Sequence, residues 1–210
     1  CATPTLASEL ASRGIVHTHR WSRGVDLAAF SPEGPLDDGM SAAAGLKRKL
    51  LYVGRVAIEK NLEAFLSLDT NGVKFVVGDG PQRSELEKRF PTVHFLGNRA
   101  GAALAAAYRS ADVFVFPSLS DTFGLVMIEA LACGTPVAAF DVMGPRDVLD
   151  CSVGAIGQDL AANIDRAALL SREPCVRYAQ SFSWERATDQ FERGLRPFDG
   201  AGIQPVLLAS

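Results

Sequence analysis

The chain has no cysteine framework, no basic tract and no apolar run long enough to cross a bilayer, and each lack closes off a class of protein. Its four cysteines, Cys1, Cys133, Cys151 and Cys175, are scattered through 210 residues without CxxC spacing. A disulfide scaffold is therefore excluded, and a reducing cytoplasm fits best. A net charge of −3, with no cluster of Lys and Arg, gives no electrostatic case for a nucleic-acid partner. No apolar stretch approaches the roughly 20 residues of a membrane span. No signal peptide opens the chain either, so the expectation is a soluble protein, or one peripheral to the inner face of a membrane. Histidine is scarce. His17 and His19 alternate without a third ligand at useful spacing, so no metal site is expected, and the pair reads as two polar residues on one face of a short strand. His94 reads as a surface or hydrogen-bonded histidine. There is no internal repeat and no low-complexity tract. The chain opens on Cys1 rather than Met, which suggests a piece of a longer protein.

What is present is apolar and periodic. Hydrophobic residues make up 48% of the chain, enough for one sizeable core. A helix is expected over residues 3–12, followed by a strand and an irregular strap over VHTHRWSRGVDLAAFSP, then loop from Glu33 to Gly45. Short runs rich in Val, Leu and Phe, each closed by Gly or Pro, predict buried strands at Lys49–Val53, Val73–Val77, Thr92–Leu96, Asp112–Phe116 and Val137–Phe140, with an edge strand at Val153–Ile156. Helical periodicity fills the intervals. Pro81 would open a helix reaching Arg89, Ala100–Arg109 is an alanine-rich helix, Gly144-Pro145 marks a turn, and Leu160–Leu170 and residues 172–195 are helical. Trp184 and Phe191, seven apart, read as packing residues, and the tail after Pro197 has no strong pattern. Alternation of strand and helix predicts an α/β fold: a Rossmann-like open, mostly parallel sheet with helices on both faces.

Two stretches carry chemistry. In GRVAIEKN, Arg55 follows a strand and Lys60 opens the next helix, so both cations reach the carboxyl edge of the sheet, where ligands bind in open α/β folds. Spacing alone leaves two readings open, a solvated pair of surface cations or a clamp on an anion. The second stretch is ADVFVFPSLSDTFGLVMIEALACGTPVAA. Ser118, Ser120, Asp121 and Thr122 offer N-cap oxygens to a helix from Gly124 to Cys133. Gly124 leaves the N–H groups of Gly124, Leu125 and Val126 open to an anion. Glu129 is the only charged residue between Asp121 and Asp141 and must find hydrogen-bond donors or shift its pKa. The GDG at 78–80 lacks the third glycine of a dinucleotide fingerprint, which argues against an NAD site.

Asp121 to Glu129 closely resembles the paired-acid E-x7-E signature of the retaining, nucleotide-sugar-dependent glycosyltransferases with the GT-B fold. The wording DTFGLVMIEALACGTPVAA is nearest to the branch with lipid mannosyltransferases and sulfoquinovosyl transferases. One position departs: the first acid is Asp121, whose carboxylate sits one methylene shorter than that of Glu. GRxxxEKN matches the family's diphosphate-binding element at Gly54, Arg55, Glu59, Lys60 and Asn61.

The resemblance implies one half of a GT-B fold. Residues 1–45 would be connector and strap, 46–182 the donor-binding domain, and 183–210 a crossover helix and tail, with an N-terminal acceptor domain missing. It implies no cofactor and no metal, but a nucleotide-diphosphate sugar donor, GDP- or UDP-linked, whose sugar passes with retention to a lipid or glycan acceptor. Arg55 and Lys60 would stabilise the departing diphosphate, Asp121 would hold donor-sugar hydroxyls and Glu129 the ribose. The donor pocket would further use Gly54, Gly80, Phe123, Gly124, Leu125 and Val126. Backbone at Phe95, Leu96 and Gly97 would read the base, and Arg146 would neighbour the diphosphate or sugar. The alternatives are a non-catalytic nucleotide-sugar-binding module and an epimerase relative.

Overall fold

In the computed structural model, residues 1–195 are described. The chain opens with helix α1 (Pro4–Ser12), whose first turn is closed by the Thr3 hydroxyl accepting from the Leu6 N–H, and continues through an extended strap to α2 (Asp38–Ala44). Six strands follow, β1 (Arg48–Val53), β2 (Gly72–Val77), β3 (His94–Gly97), β4 (Val113–Phe116), β5 (Val137–Phe140) and β6 (Gly154–Gly157). Between them lie α3 (Leu62–Leu66), α4 (Arg83–Arg89), α5 (Gly101–Ser110), α6 (Leu125–Ala132) and α7 (Met143–Val148). The helices α8 (Leu160–Ala167), α9 (Arg172–Ala179) and α10 (Trp184–Gly194) close the described chain.

All neighbouring strands pair parallel, in the order β3-β2-β1-β4-β5-β6. Parallel strands need covered faces, and the side-chain alternation supplies apolar groups to both. Leu51, Val53, Phe75 and Phe114 point to one core with Met40, Tyr108 and Met127, while Leu50, Tyr52, Val76 and Val115 point to the other with Leu62, Phe65, Leu86 and Ile164. The chain leaves β1 toward one edge of the sheet and β4 toward the other. The crevice between these two strands is thus the topological switch point, where open α/β sheets bind their ligands.

Several local expectations are corrected. No strand forms over residues 16–24. The nearest β pairing is an isolated parallel bridge from Val25 to Ser183. His17 and His19 therefore share no strand face; instead the His19 Nε2 lies 2.5 Å from the carbonyl oxygen of Gln190. The region read as loop from Glu33 to Gly45 holds α2. The Asp37 carboxylate accepts from the Met40 N–H at 2.8 Å, and Met40 and Ala44 are buried. Gly144-Pro145 lies within α7 rather than in a turn, the Gly144 N–H reaching the Asp121 carbonyl at 3.2 Å. The helix after Pro81 starts at Arg83. Trp184 packs against Gly24 and Phe191 against Trp21, with ring centroids 4.9 Å apart for the latter pair. The tail after Pro197 lies outside the described residues.

Candidate functional site

The loop after β1 is built to hold its shape. The Tyr52 hydroxyl donates to the Arg55 carbonyl at 2.8 Å, and burial, with the nearby Asp121 carboxylate, keeps that phenol protonated well above its ordinary range. A single 3₁₀ turn, Ile58–Lys60, then delivers Lys60, and Asn61 takes a left-handed conformation. The Asn61 side-chain amide donates to the Pro117 carbonyl at 3.0 Å, tying this loop to the one that follows β4. Ser120 adds a weaker tie, its hydroxyl 3.4 Å from the Glu59 carbonyl.

These ties bring the sequence-predicted cations to the acids. Lys60 Nζ donates to both carboxylate oxygens of Asp121, each at 2.9 Å, in a half-buried pair. Arg55 is more open and faces Glu59 at 3.6 Å. Beyond Asp121 the chain turns through buried Phe123 to Gly124, which caps α6 in a left-handed conformation (φ 82°) without any side-chain cap. Ser118, Ser120, Asp121 and Thr122 do not cap the helix as expected. The backbone enters α6 through a left-handed residue, a conformation glycine adopts freely, and leaves the first amides uncovered.

Together these parts line a cavity of about 320 Å³ at the switch point. Its wall includes Gly54, Arg55, Lys60, Asp121, Phe123, Gly124, Leu125 and Val126, so most of the residues singled out from sequence meet in one place. Five more line it that the sequence had not assigned to a pocket: Arg23, Tyr52, Val53, Phe116 and Ser118. Ser118 is 1% exposed and its hydroxyl has no hydrogen-bond partner among the described residues. A second hollow of about 310 Å³ shares Gly54 and Arg55 and runs to Asn98 and Arg99 after β3.

Other predicted residues lie elsewhere. Phe95 and Leu96 pack toward opposite cores, and Gly97 pairs with Val77. At the end of β3 it is Asn98 and Arg99 that face the second hollow. Gly80 lines neither hollow. Its bare Cα lets the backbone pass the Val56 carbonyl, where a Cβ would come within 2.4 Å. Arg146 stands on α7, donating to Asp141 at 2.9 Å, and does not line the cavity. Glu129 is one turn into α6, where it accepts from the buried Tyr108 hydroxyl at 2.8 Å. Burial pushes the Glu129 carboxyl above its ordinary range, against the opposing pull of that hydroxyl. The lone carboxylate has thus both found a donor and shifted its pKa. Among the described residues no three His, Cys, Asp or Glu side chains gather into a group able to hold a metal. No helix there is long and apolar enough to cross a membrane.

Comparison with known proteins places this arrangement. The chain is 42% identical over 160 residues to a GDP-mannose-dependent alpha-mannosyltransferase of Mycolicibacterium smegmatis, a match covering 74% of this chain and 43% of that protein. It is 39% identical over 139 residues to sulfoquinovosyl transferase SQD2 of Arabidopsis thaliana, covering 61% of this chain and 27% of the plant protein. The match thus spans under half the length of either relative. Among solved structures, Anabaena Alr3699/HepE in complex with UDP-glucose superposes with a TM-score of 0.73 at 19% identity, over 92% of this chain and 62% of that one, which establishes the shared fold. Residues 47–170 match the family described as Glycosyl transferases group 1, and the chain belongs to that family.

Proposed function

We propose that this chain is the donor-binding half of a retaining glycosyltransferase that takes a sugar from a nucleoside diphosphate and passes it to a lipid or glycan acceptor. The observation that carries the reading is the convergence of Arg55, Lys60 and the uncapped start of α6 on one cavity at the sheet's switch point. As the glycosidic bond breaks, charge builds on the leaving diphosphate. Arg55 forks onto two of its oxygens, Lys60 adds a compact charge, and the amides of Leu125 and Val126 contribute the positive end of a helix. Asp121, now paired with Lys60, would hand part of that cation to the donor and accept from its sugar hydroxyls. Glu129, oriented by Tyr108, would accept from the ribose. No side chain is assigned as nucleophile; the leaving phosphate acts as the base.

Residues 46–182 would form the donor domain, 1–45 the connector and 183–210 the crossover helix with its tail, an acceptor domain completing the cleft at the inner face of a membrane. The mannosyltransferase relative supports a GDP-linked donor, and the UDP-glucose complex of the structural neighbour keeps UDP open. A ligand that binds only the folded state raises the melting temperature by mass action. A thermal-shift screen with GDP-, UDP- and ADP-linked sugars should therefore single out one base, and no shift with any of them would defeat the reading. The 210-residue chain should bind that donor and transfer little; robust turnover by it alone would show that no acceptor domain is needed.

A further inference from the structure

The charges around the cavity do not balance in the way a diphosphate seat requires. Arg55 faces Glu59 and Lys60 is gripped by Asp121, so two cations meet two carboxylates and the sum is zero. A nucleoside diphosphate brings two or three negative charges, and Coulomb attraction needs a positive surplus there. One other lining residue supplies it. Arg23, from the strap before α2, reaches the same cavity and forms no ion pair among the described residues.

Its placement is fixed from both sides. The guanidinium lies over the Trp21 ring, 5.7 Å from its centroid, and Trp21 in turn packs on Phe191 of α10 at 4.9 Å. The neighbouring backbone is pinned to the turn before this helix and to the helix itself. The Val25 N–H donates to the Phe182 carbonyl at 2.8 Å, and the Ser22 N–H to the Gln190 side chain at 2.9 Å. Gly24 lies so close to Trp184 that a Cβ there would come within 2.6 Å of the indole. Stacking on an aromatic face holds a guanidinium in orientation and leaves its N–H donors free for another partner. A long side chain held in this way loses less rotamer freedom when it binds.

We infer that Arg23 is the third cation of the diphosphate seat, carried to the donor cavity by the docking of α10 against the connector. The assignment rests on the reading of the cavity as a nucleoside-diphosphate site. The test is calorimetric titration of the 210-residue chain and of Arg23→Ala and Arg23→Lys with GDP, UDP, GMP and UMP at low and high salt. Arg23→Ala should bind the preferred diphosphate roughly tenfold more weakly, as expected for one charge-assisted hydrogen bond. It should bind the matching monophosphate nearly as well as the wild type, and should melt at the wild-type temperature without ligand. Arg23→Lys should recover part of the loss, and the difference between wild type and Ala variant should shrink as salt rises. Wild-type diphosphate affinity in Arg23→Ala overturns the assignment alone, as does an equal loss for mono- and diphosphate. A wild-type chain that binds neither GDP nor UDP overturns the reading of the site and this assignment with it.

Discussion

Four helix starts away from the cavity are closed by a side-chain cap and the helix start facing it is not, although α3, α4, α5, α7 and α9 also begin without one. At α1, α2, α8 and α10 a side chain one residue before the helix, Thr3, Asp37, Asp159 or Ser183, accepts from an N–H of the first turn. At α6 four oxygen-bearing side chains precede the helix within seven residues, yet none caps it. Asp121 is committed to Lys60, and Ser120 leans toward Glu59. Capping oxygens were to hand, and the chain directs them elsewhere. A helix that leaves amides bare where caps are available forgoes about 1 kcal/mol of local stability, and those amides are left to water or to a bound anion.

The comparison breaks most sharply at Gly124. An alanine there must take a left-handed conformation costing on the order of 1–3 kcal/mol. Its Cβ would also sit 2.8 Å from the Met127 Cε and 3.0 Å from the Phe116 Cζ. Gly124→Ala should lower the melting temperature and remove most nucleoside-diphosphate affinity by turning the first amides away. Calorimetry that finds full affinity in this variant would detach the helix start from the ligand. Lys60→Ala should come next, weakening diphosphate binding by about 1.5–3 kcal/mol, the range for a hydrogen bond to a charged group, while leaving the fold nearly intact. Unchanged affinity would mean that Asp121 keeps Lys60 to itself.

Glu129 sharpens the contrast from the buried side of the same helix. Its carboxyl is held above the ordinary 4.5, chiefly by burial. The native state therefore keeps a proton that the unfolded chain gives up. That contribution to stability is full below 4.5 and is lost as pH rises through the folded value. Glu129→Gln keeps an acceptor for Tyr108 and sheds the buried charge. It should melt higher than the wild type at neutral pH, the two curves converging in acid, while its donor affinity falls by on the order of 1 kcal/mol. Identical melting at neutral pH would show that the carboxylate is not penalised, and unchanged affinity would remove it from the ribose.

Much of this was readable from residue order. Buried strands announce themselves as apolar runs ended by Gly or Pro, and β5 falls at the expected Val137–Phe140. The cations of GRxxxEKN and the glycine of DTFG meet because both follow strands that become neighbours at the switch point, a consequence of topology and not of spacing. The sequence pattern failed where local chemistry is ambiguous. Asp, Gly and Ser around 37–41 read as loop, yet the same residues cap and build α2 once Met40 and Ala44 find the core. It failed again where a contact is wholly tertiary. Nothing near Arg23 marks it as a cavity residue, because its position depends on Trp184 and Phe191 of a helix far along the chain. Arg146 differs the other way, a cation beside Gly144-Pro145 that pairs with Asp141 and does not line the cavity.

The smallest effect tests the other half of the comparison. Asp159 closes α8 by accepting from the Ala162 N–H at 3.1 Å, and this helix packs on β5 and β6 through Leu160, Ile164 and Ala167 without lining the cavity. Losing such a cap costs about 1 kcal/mol, so Asp159→Ala should lower the stability measured by denaturant titration by that amount. Nucleoside-diphosphate affinity should stay at the wild-type value, because a cap that serves only its own helix has no free-energy link to the ligand. Were affinity to fall in step with stability, the two kinds of helix start would not be separate devices, and the bare amides of α6 would have to be explained by the fold alone.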